Sequence, residues 1–400
     1  MSRDKKSKKS IFAAIVLVLL VLVMGAGIFL TSDVRSSEDW PCWKWFNTSA
    51  DDPVKERAAE ILSEMTLHEK ICQLFIVTPE ELADAGQVTV ADESLRVCVE
   101  EYPVCGLIYF SQNLTSVEQT KTVTANIQEY STDATGIPMF IAVDEEGGVV
   151  ARCADKLGTT GFEPMYAYRG QGAEVAKANA KTIASDIKAL GFNLDFAPVA
   201  DVWSNPYNEV IGTRAYSDDA AQAAELVAAA VEGFDEIGIA STLKHFPGHG
   251  DTAEDSHKTA AYSYKTLDQL RQGEFLPFKA GIDAGADMVM MGHITLPAVD
   301  TMPATFSQKI IGELLRGELG FDGVVITDSM IMSAVAHLYP SPEASLAAFK
   351  AGNDILLCGD DLRGSVARLT EACQNGELSE ERIDESVMRI LELKIRRGIL

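Results

Sequence analysis

The stretch ASTLKHFPGHGDTAEDSHK, residues 240 to 258, has two halves of different character. Its first seven residues, ASTLKHF, are an apolar run of the length of a β-strand, although Lys244 and His245 lie within it. The rest is glycine, proline and mostly polar or charged residues, which is the composition of a turn followed by a loop. The stretch therefore predicts a buried strand whose carboxyl end leads into a polar loop.

Seven further apolar runs of similar length occur along the chain, and segments with helical spacing separate them. Two such helical segments, residues 173–191 and 220–238, end in the helix-stopping residues Gly191 and Gly238. Apolar strands separated by helices are typical of a parallel sheet that is buried on both faces. In chain order, the eight runs are QLFIV (73–77), GLIYF (106–110), MFIAVD (139–144), NLDFAPV (193–199), ASTLKHF (240–246), MVMMGHI (288–294), GVVITD (323–328) and DILLCG (354–359).

Eight units of strand followed by helix are the number found in a (β/α)8 TIM barrel. The C-terminal segment ERIDESVMRILELKIRRG, residues 381–398, supplies a helix that would close the barrel. An open, doubly wound sheet is the alternative, but no dinucleotide-binding glycine motif follows the first apolar run. We therefore predict an α/β fold with a single TIM-barrel domain over residues 53–400.

The first 52 residues predict a different organisation. Residues 1–10 carry five basic side chains and one Asp, and residues 11–30 are twenty consecutive residues without a charge. Such a run can cross a bilayer as one helix, and the preceding basic residues place that end in the cytoplasm. We predict a basic cytoplasmic tail, a single membrane-spanning anchor and a polar stalk over 31–52, with the barrel outside the cell. A cleaved signal, which would yield a secreted domain, is the alternative.

Charge and residue spacing argue against two kinds of partner. The formal net charge is −25 at pH 7, whereas a nucleic-acid-binding domain needs a basic surface. His245 and His249 have the four-residue spacing of a zinc-binding helix, but Pro247, Gly248 and Gly250 would break that helix. We therefore predict no nucleic-acid partner and no metal. We also expect a monomer without an organic cofactor.

The chain contains seven cysteines, an odd number, so at least one has no partner within the chain. Cys98 and Cys105 flank a short acidic loop, and export would permit disulfides. We predict that these two form a pair. The alternative is that most of the cysteines are small buried hydrophobic side chains.

Charged or imidazole side chains stand at the ends of several apolar runs. A single Asp in this position more often caps the next helix than takes part in chemistry. The repetition at successive strands is the informative feature, because the carboxyl ends of barrel strands together form the active site. The residues are Asp144, Glu145 and Glu146 after the third run, Asp195 and Asp201 around the fourth, Lys244 and His245 on the fifth, His293 on the sixth and Asp328 at the seventh.

The loop after the fifth run contains Asp255 and His257, two residues apart. In an extended segment two such side chains point the same way. A neighbouring Asp raises the pKa of an imidazole and orients the ring, which suits acid and base catalysis near neutral pH. A solvated loop without a catalytic role is the alternative. Lys244 and His245 lie on the strand itself, which favours substrate binding.

KHFPGHGDTAEDSH, together with GFNLDFAPVADV, VIGTRAYS and ELGFDGVVITDSM, resembles the family 3 glycoside hydrolases. Within that family the similarity is to the single-domain β-N-acetylglucosaminidases, and it runs from residue 65 to the C-terminus. KHFPGHG followed by DSH distinguishes this branch from the β-glucosidases, whose acid/base is a Glu in a second domain. The resemblance implies a TIM barrel that uses a retaining mechanism.

The resemblance also implies roles for individual residues. Asp328 matches the nucleophile that forms a covalent glycosyl-enzyme. His257 matches the general acid/base, with Asp255 as its partner in a dyad. This dyad replaces the second carboxylate that most retaining glycosidases use.

The residues that the resemblance assigns to sugar binding are Asp144, Arg214, Lys244 and His245, with Asp195 in a supporting position. Two positions depart from the family pattern. The motif that is usually DQEGGR reads DEEGGV here, so Glu145 and Val149 stand in place of Gln and Arg. These two positions lie beside the region expected to bind the neighbouring sugar.

These observations predict a membrane-anchored exo-β-N-acetylhexosaminidase that releases terminal β-linked GlcNAc from peptidoglycan fragments or related glycans. Two alternatives stay open at this point. One is a β-N-acetylglucosaminide phosphorylase, because an imidazole repels an incoming phosphate dianion less than a carboxylate does. The other is a surface protein that binds sugar without catalysis.

Overall fold

The computed structural model describes residues 52–256 and 259–400, and Pro53–Leu400 forms one compact unit. The predicted cytoplasmic tail, membrane anchor and nearly all of the stalk lie outside the described residues, and so does His257. None of the described helices combines the length and the apolar character that crossing a bilayer requires.

Each of the eight predicted apolar runs contains a strand of the main sheet; seven strands are shorter than their runs, and the fifth has the predicted bounds, 240–246. All eight strands are buried along their whole length, as expected for a sheet covered on both faces. This includes the longest strand, which carries Lys244 and His245. The strands are β1 (Phe75–Val77), β2 (Gly106–Ile108), β3 (Phe140–Val143), β4 (Leu194–Asp195), β5 (Ala240–Phe246), β6 (Met288–Met291), β7 (Val324–Thr327) and β8 (Leu356–Leu357).

The eight strands pair in parallel in the order β7-β6-β5-β4-β3-β2-β1-β8. The two outer strands then meet, because Ile326 of β7 forms a parallel bridge with Ile355 beside β8. Thr327 N donates to Ile355 O at 3.0 Å across this junction. The sheet is therefore a nearly closed parallel barrel, and the predicted α/β barrel-like fold is confirmed.

Helices follow the strands around the barrel. The α-helices are α1 (Pro53–Glu64), α2 (Leu67–Cys72), α3 (Pro79–Ala83), α4 (Glu93–Glu101), α5 (Val117–Thr135), α6 (Arg152–Leu157), α7 (Ala173–Lys188), α8 (Ala220–Ile237), α9 (Leu267–Gln272), α10 (Phe275–Asp283), α11 (Ser333–Ala336), α12 (Ser341–Ala351), α13 (Leu362–Gln374) and α14 (Glu380–Arg396). A π-helix spans Lys309–Glu318, and 3-10 turns span Ser111–Asn113, Met165–Gln171, Gly212–Arg214 and Ala304–Phe306. Two short strand pairs lie outside the barrel: Glu145–Gly147 with Val150–Ala151, and Ala261–Tyr262 with Ile294–Thr295.

The two helices predicted from spacing, α7 and α8, show how local sequence sets their bounds. Asp219 caps the start of α8 by accepting the backbone N–H of Gln222 at 2.8 Å. Gly238 ends the helix in the left-handed region, at φ 80°, which favours glycine. Gly233 lets the two helices approach closely, since a Cβ there would lie 2.6 Å from the Lys177 carbonyl oxygen.

The predicted C-terminal helix, α14, reaches the amino-terminal end of the barrel. Lys394 on this helix is 0 % exposed, and its Nζ donates to Oε1 of Gln73 at 3.0 Å. The same ammonium group lies 5.2 Å from the ring centre of Phe140. Gln73 precedes β1 and Phe140 begins β3, so α14 covers the end of the barrel opposite the predicted site.

The predicted disulfide between Cys98 and Cys105 is wrong, because both are free thiols. Cys105 is fully buried directly before β2, whereas Cys98 is half-buried on α4, so the two sulfurs belong to different elements. Cys72, Cys153 and Cys358 are buried thiols as well. The alternative, that most of the cysteines are small buried side chains, describes the structure better.

Candidate active site

The carboxyl end of the barrel collects the polar residues that the sequence placed at strand ends. Asp144 follows β3 directly, Asp195 ends β4, and Asp328 follows β7 directly. Lys244 and His245 lie near the end of β5, directly before its last residue, Phe246. The fold therefore brings these five residues to one face, as expected from the rule for parallel barrels.

Lys244 occupies the centre of an ion-paired group. Its Nζ lies 2.7 Å from Oδ1 of Asp144 and 2.6 Å from Oε1 of Glu146, and its side chain is only 3 % exposed. Burial alone would lower the pKa of Lys244, but the carboxylates of Asp144 and Glu146 outweigh that effect and raise it. Lys244 is therefore a permanently charged group at neutral pH.

Arg214 completes the group through Glu146. Its Nε donates to Oε2 and its Nη2 to Oε1 of that carboxylate, both at 2.8 Å, which is the two-pronged geometry that guanidinium favours. Burial would raise the pKa of Glu146, but the charges of Arg214 and Lys244 hold it well below its ordinary value. We name Asp144, Glu146, Arg214 and Lys244 the charge quartet, in which two carboxylates balance two cations.

Glu146 was noted in the sequence only as part of a polar run, and no role was predicted for it. Its position is three residues past the end of β3, in the short strand Glu145–Gly147. The strand alternates side chains, which separates Glu145 from Glu146. The alternation does not say which of the two faces the site, but Glu146 keeps the Glu of the family motif whereas Glu145 departs from it.

Glu145 points away from the quartet. Its carboxylate accepts the backbone N–H groups of Cys153 at 2.6 Å and Ala154 at 3.0 Å, at the start of α6. Burial raises the pKa of Glu145 to about 7, although these two N–H groups lower it. The acidic residue that departs from the family pattern therefore caps a helix, while Val149, the other departure, is exposed at 63 %.

Asp195 supports the backbone beside Asp144. Its side chain is fully buried, and its Oδ1 accepts the backbone N–H of Glu145 at 2.9 Å. Burial raises the pKa of Asp195 well above its ordinary value. Its Oδ2 has no hydrogen-bond partner among the described residues. Asp195 therefore holds the backbone next to Asp144, and its supporting position in sugar binding stays a prediction from the resemblance.

His245 is paired with Asp201, which follows β4. Its Nδ1 lies 2.7 Å from Oδ2 of Asp201, and the same carboxylate accepts the backbone N–H of His249 at 2.6 Å through Oδ1. Burial would raise the pKa of Asp201, but the nearby charge and hydrogen bonding of His245 and His249 lower it. An ionised Asp201 favours a proton on Nδ1 of His245, which fixes the orientation of that ring.

The turn after β5 depends on two glycines. Gly248 has φ +123°, a conformation that side chains rarely adopt. A Cβ on Gly250 would lie 1.8 Å from the carbonyl oxygen of Val202, so only glycine fits there. The turn predicted from the sequence is confirmed. The loop beyond it is less solvated than its composition indicates, since Thr252 and Ser256 are both buried.

His249 explains that burial. Its ring is 1 % exposed, with Nδ1 2.8 Å from Oγ1 of Thr252 and Nε2 2.8 Å from Oγ of Ser256. Burial lowers the pKa of His249 to about 4, with the charge of His245 acting in the same direction. His249, the second histidine of residues 240–258, is therefore a neutral, buried link between the turn and the loop.

Asp328 is held by backbone contacts on both sides. Its own N–H donates to the Met291 carbonyl at 2.9 Å, and its Oδ1 accepts the N–H of Ser329 at 2.7 Å. Nε2 of His293 donates to the Ser329 carbonyl at 2.9 Å, and Nδ1 of His293 lies 2.7 Å from Oγ1 of Thr305. His293, which the sequence marked without a role, therefore supports the segment that carries Asp328.

Asp255 lies in the described part of the loop, where its carbonyl accepts the N–H of Thr259 at 2.9 Å. His257 lies outside the described residues, so its pairing with Asp255 stays a prediction from the sequence. Within the ranges 52–256 and 259–400, no three His, Cys, Asp or Glu side chains form a group that could hold a metal ion. The chemistry of the described site is that of hydrogen bonding and charge.

A comparison with known families identifies this arrangement. The sequence profile described as Glycosyl hydrolase family 3 N terminal domain matches residues 66–393. The chain belongs to glycosyl hydrolase family 3. Family membership confirms the resemblance found in the sequence.

Curated relatives in family 3 carry the name beta-hexosaminidase. Beta-hexosaminidase A of Pseudoalteromonas piscicida is 34 % identical over 335 residues, which cover 77 % of this chain and 56 % of that protein. Beta-hexosaminidase of Stenotrophomonas maltophilia strain K279a is 39 % identical over 280 residues, covering 68 % of this chain and 81 % of the relative. The chain thus spans about half of the first relative and about four fifths of the second.

A solved structure agrees with the sequence comparisons. The family 3 β-N-acetylglucosaminidase from Paenibacillus sp. str. FPU-7 superposes with a TM-score of 0.79 at 38 % identity. The match covers 84 % of this chain and 63 % of that one. The shared fold therefore extends over most of the present chain.

Proposed function

We propose that this family 3 chain is a retaining exo-β-N-acetylhexosaminidase (EC 3.2.1.52) that releases terminal β-linked GlcNAc. The observation that carries the proposal is the position of Asp328. It follows β7 at the same end of the barrel as the charge quartet. A carboxylate beside a polar, charge-balanced pocket is the arrangement that covalent catalysis on a neutral sugar needs.

In the first step, an oxygen of Asp328 attacks C1 of the sugar. The bond from C1 to the glycosidic oxygen breaks, and His257 donates a proton to that oxygen so that it leaves as an alcohol. The product is a glycosyl ester on Asp328. Asp255 stabilises the imidazolium of His257 before the transfer and keeps the ring oriented.

In the second step, water replaces the leaving group. His257, now neutral, takes a proton from the water. The water oxygen bonds to C1 as the bond between C1 and Asp328 breaks. Two displacements on opposite faces return the original β configuration. The enzyme is restored with Asp328 ionised and His257 protonated.

The charge quartet supplies the contacts that hold the sugar. Asp144 is the carboxylate of the quartet best placed to accept a hydrogen bond from a sugar hydroxyl, because its side chain is 16 % exposed whereas that of Glu146 is 3 % exposed. Lys244 and Arg214 offer N–H donors to sugar oxygens, and His245 offers an imidazole fixed by Asp201. The net balance of charge in the quartet suits a neutral ligand.

The natural substrate follows from the proposed placement of the chain. With a membrane-spanning segment at 11–30, the barrel lies outside the cell beside its wall, where β-linked GlcNAc occurs in peptidoglycan. Fragments of that polymer, or related glycans with a terminal β-GlcNAc, are the proposed substrates. The proposed location is the cell membrane, or the surrounding medium if the segment is cleaved.

The test uses the purified full-length chain in detergent with 4-nitrophenyl β-GlcNAc. We expect release of nitrophenol, and a fall of about 10⁴-fold in kcat for Asp328→Asn. Asp322→Asn is the matched control, because Asp322 is exposed at the other end of β7 and its loss should leave the rate unchanged. No activity in the native chain, or full activity in Asp328→Asn, would contradict the proposal.

Two further measurements separate hydrolysis from its alternatives. Proton NMR of the first product should show the β anomer, and added phosphate should neither raise the rate nor yield GlcNAc 1-phosphate. The corresponding glycosides of glucose, GalNAc and xylose test whether the pocket selects GlcNAc. Calorimetric binding of GlcNAc without turnover would instead indicate a sugar-binding protein.

A further inference from the structure

The loop that carries Asp255 and His257 is attached to the barrel at Ser256, the residue between them in the sequence. Ser256 is 1 % exposed, although serine is polar and lies among polar residues, which does not predict burial. Its hydroxyl contacts His249 at 2.8 Å, and its carbonyl accepts the N–H of Ala334 at 3.2 Å. Ser256 is therefore held from two directions.

The two attachments come from different strands. His249 belongs to the turn after β5, while Ala334 lies in α11, which follows β7 and Asp328. Ser256 thus ties the loop of the proposed acid/base to the segment that follows the proposed nucleophile.

His249 is itself fixed. Oδ1 of Asp201 accepts its N–H at 2.6 Å, and Nδ2 of Asn208 donates to its carbonyl at 2.8 Å. Its ring lies between two hydroxyls, those of Thr252 and Ser256. A hydroxyl can donate or accept, so a neutral imidazole satisfies both contacts in either tautomer. The side chain therefore holds the hydroxyls of Thr252 and Ser256 on opposite sides of a rigid ring through two hydrogen bonds.

We propose that His249 is a positioning residue, which holds Ser256 so that the adjoining His257 is presented to the glycosidic oxygen. The inference rests on the proposed function, since it assigns no separate activity. His249 does not exchange protons with the substrate in this scheme. Its contribution is to the two steps in which His257 transfers a proton, and kcat/KM reports the first of them, in which the leaving group departs.

The distinction between positioning and general structural support can be measured through the leaving group. GlcNAc β-fluoride loses fluoride with little need of proton transfer, whereas phenyl β-GlcNAc has a basic leaving group that requires it. A displaced acid/base slows the second substrate and spares the first. A distorted sugar pocket slows both by the same factor.

Two substitutions of His249 separate its two contacts. In His249→Gln the side-chain amide nitrogen reaches the position of Nε2 and can keep the hydrogen bond to Ser256. In His249→Asn it reaches the position of Nδ1 and can keep only the bond to Thr252. Ser256→Ala removes the same contact from the other side.

We expect kcat/KM for phenyl β-GlcNAc to fall about 10²-fold in His249→Asn and in Ser256→Ala, with His249→Gln closer to the native value. With GlcNAc β-fluoride, kcat/KM of all three variants should stay within about threefold of the native value. The double variant His249→Asn/Ser256→Ala should be no slower than either single variant, because both remove one interaction.

The outcomes separate the two proposals. A native chain that hydrolyses neither substrate would contradict the proposed function, and the inference would fall with it. A native chain active on both, with His249→Asn slowed equally on both or on neither, would overturn the positioning role alone. A purely additive double variant would overturn it too.

Discussion

Two buried lysines at opposite ends of the barrel differ in what surrounds them. Lys244, at the carboxyl end, has two carboxylates within 2.7 Å, and they raise its pKa above the ordinary value. Lys394, at the amino end, has Gln73 as its hydrogen-bond partner, and burial lowers its pKa to about 8. The same side chain, equally removed from water, is stabilised as a cation in one place and destabilised in the other.

The difference reflects two uses of a buried ammonium group. At the carboxyl end, the charge is matched by Asp144 and Glu146, so it is available to a ligand that enters the pocket. At the amino end, the long side chain fills space under the barrel, and its charge has only an amide oxygen and the face of Phe140. We infer that Lys244 serves function and that Lys394 serves packing at a cost in stability.

The largest expected effect is on activity. Lys244→Met removes a donor fixed in the pocket and should lower kcat/KM for 4-nitrophenyl β-GlcNAc by about 10² to 10³-fold. Lys394→Met should leave that value unchanged, because the residue lies at the other end of the barrel. Steady-state kinetics of the two variants side by side makes the measurement. Equal kcat/KM values for the two variants would contradict the functional role of Lys244.

Lys244→Met should also destabilise the fold, by about 3 kcal/mol. The reason is that the carboxylates of Asp144 and Glu146 would stay buried with one cation fewer, although Arg214 still pairs with Glu146. Urea unfolding followed by fluorescence gives the free energy of unfolding. If the variant is as stable as the native chain, the quartet does not depend on Lys244 for charge balance.

Lys394→Met should have the opposite sign and stabilise the protein at pH 7, on the order of 1 to 3 kcal/mol. An unfolded lysine has a pKa of about 10.4. The folded value is about 8, so at pH 7 the native state keeps a proton that burial disfavours. Urea unfolding again measures it, with Lys279→Met as an exposed control expected to change stability by less than about 0.5 kcal/mol.

The gain from Lys394→Met should shrink as the pH rises from about 8 to about 10.4. In that interval the unfolded chain binds more protons at this residue than the folded chain, so the native protein gains stability with pH while the variant does not. Unfolding curves at pH 7, 9 and 10 make the comparison. A gain that is constant over this range would mean that folding does not lower the pKa of Lys394.

The smallest effect concerns Glu145 and Glu146, which repeat the contrast in adjacent residues. Glu146 has two cations, whereas Glu145 has only N–H groups and a pKa raised to about 7. The native chain should therefore lose stability as the pH rises from about 4.3 to 7, because the folded state releases its proton later. Glu145→Gln should abolish this slope and gain about 1 kcal/mol at pH 8. An unchanged slope in thermal unfolding scans would show that another group produces it.

Much of the fold was predictable because its signals are local. Each strand of the barrel is a short apolar run, and helices such as α8 are bounded by a capping Asp219 and a stopping Gly238. The order of the strands followed from their number and from the rule that parallel units join neighbours. The disulfide was the local inference that failed, since spacing alone does not say which elements the two thiols belong to.

The candidate site was predictable in its members and not in their contacts. Asp144, Lys244 and Asp328 stood out because each is polar at the end of an apolar run. The partnership of Arg214 with Glu146 joins residues 68 positions apart, and no local pattern indicates it. The burial of Ser256 was missed for the same reason, since its contacts lie in the turn after β5 and in α11.

The sequence by itself determined that this chain forms a parallel α/β barrel, that its polar groups gather at the carboxyl ends of the strands, and that it belongs with the family 3 glycoside hydrolases. These features depend on periodicity, on strand ends and on short motifs, all of which are readable residue by residue. The tertiary structure decided which of two lysines keeps a stable charge, which of two adjacent glutamates faces the site, and what His249 holds. Those outcomes depend on the distance between charges and on their removal from water, and both are set only when distant strands come together.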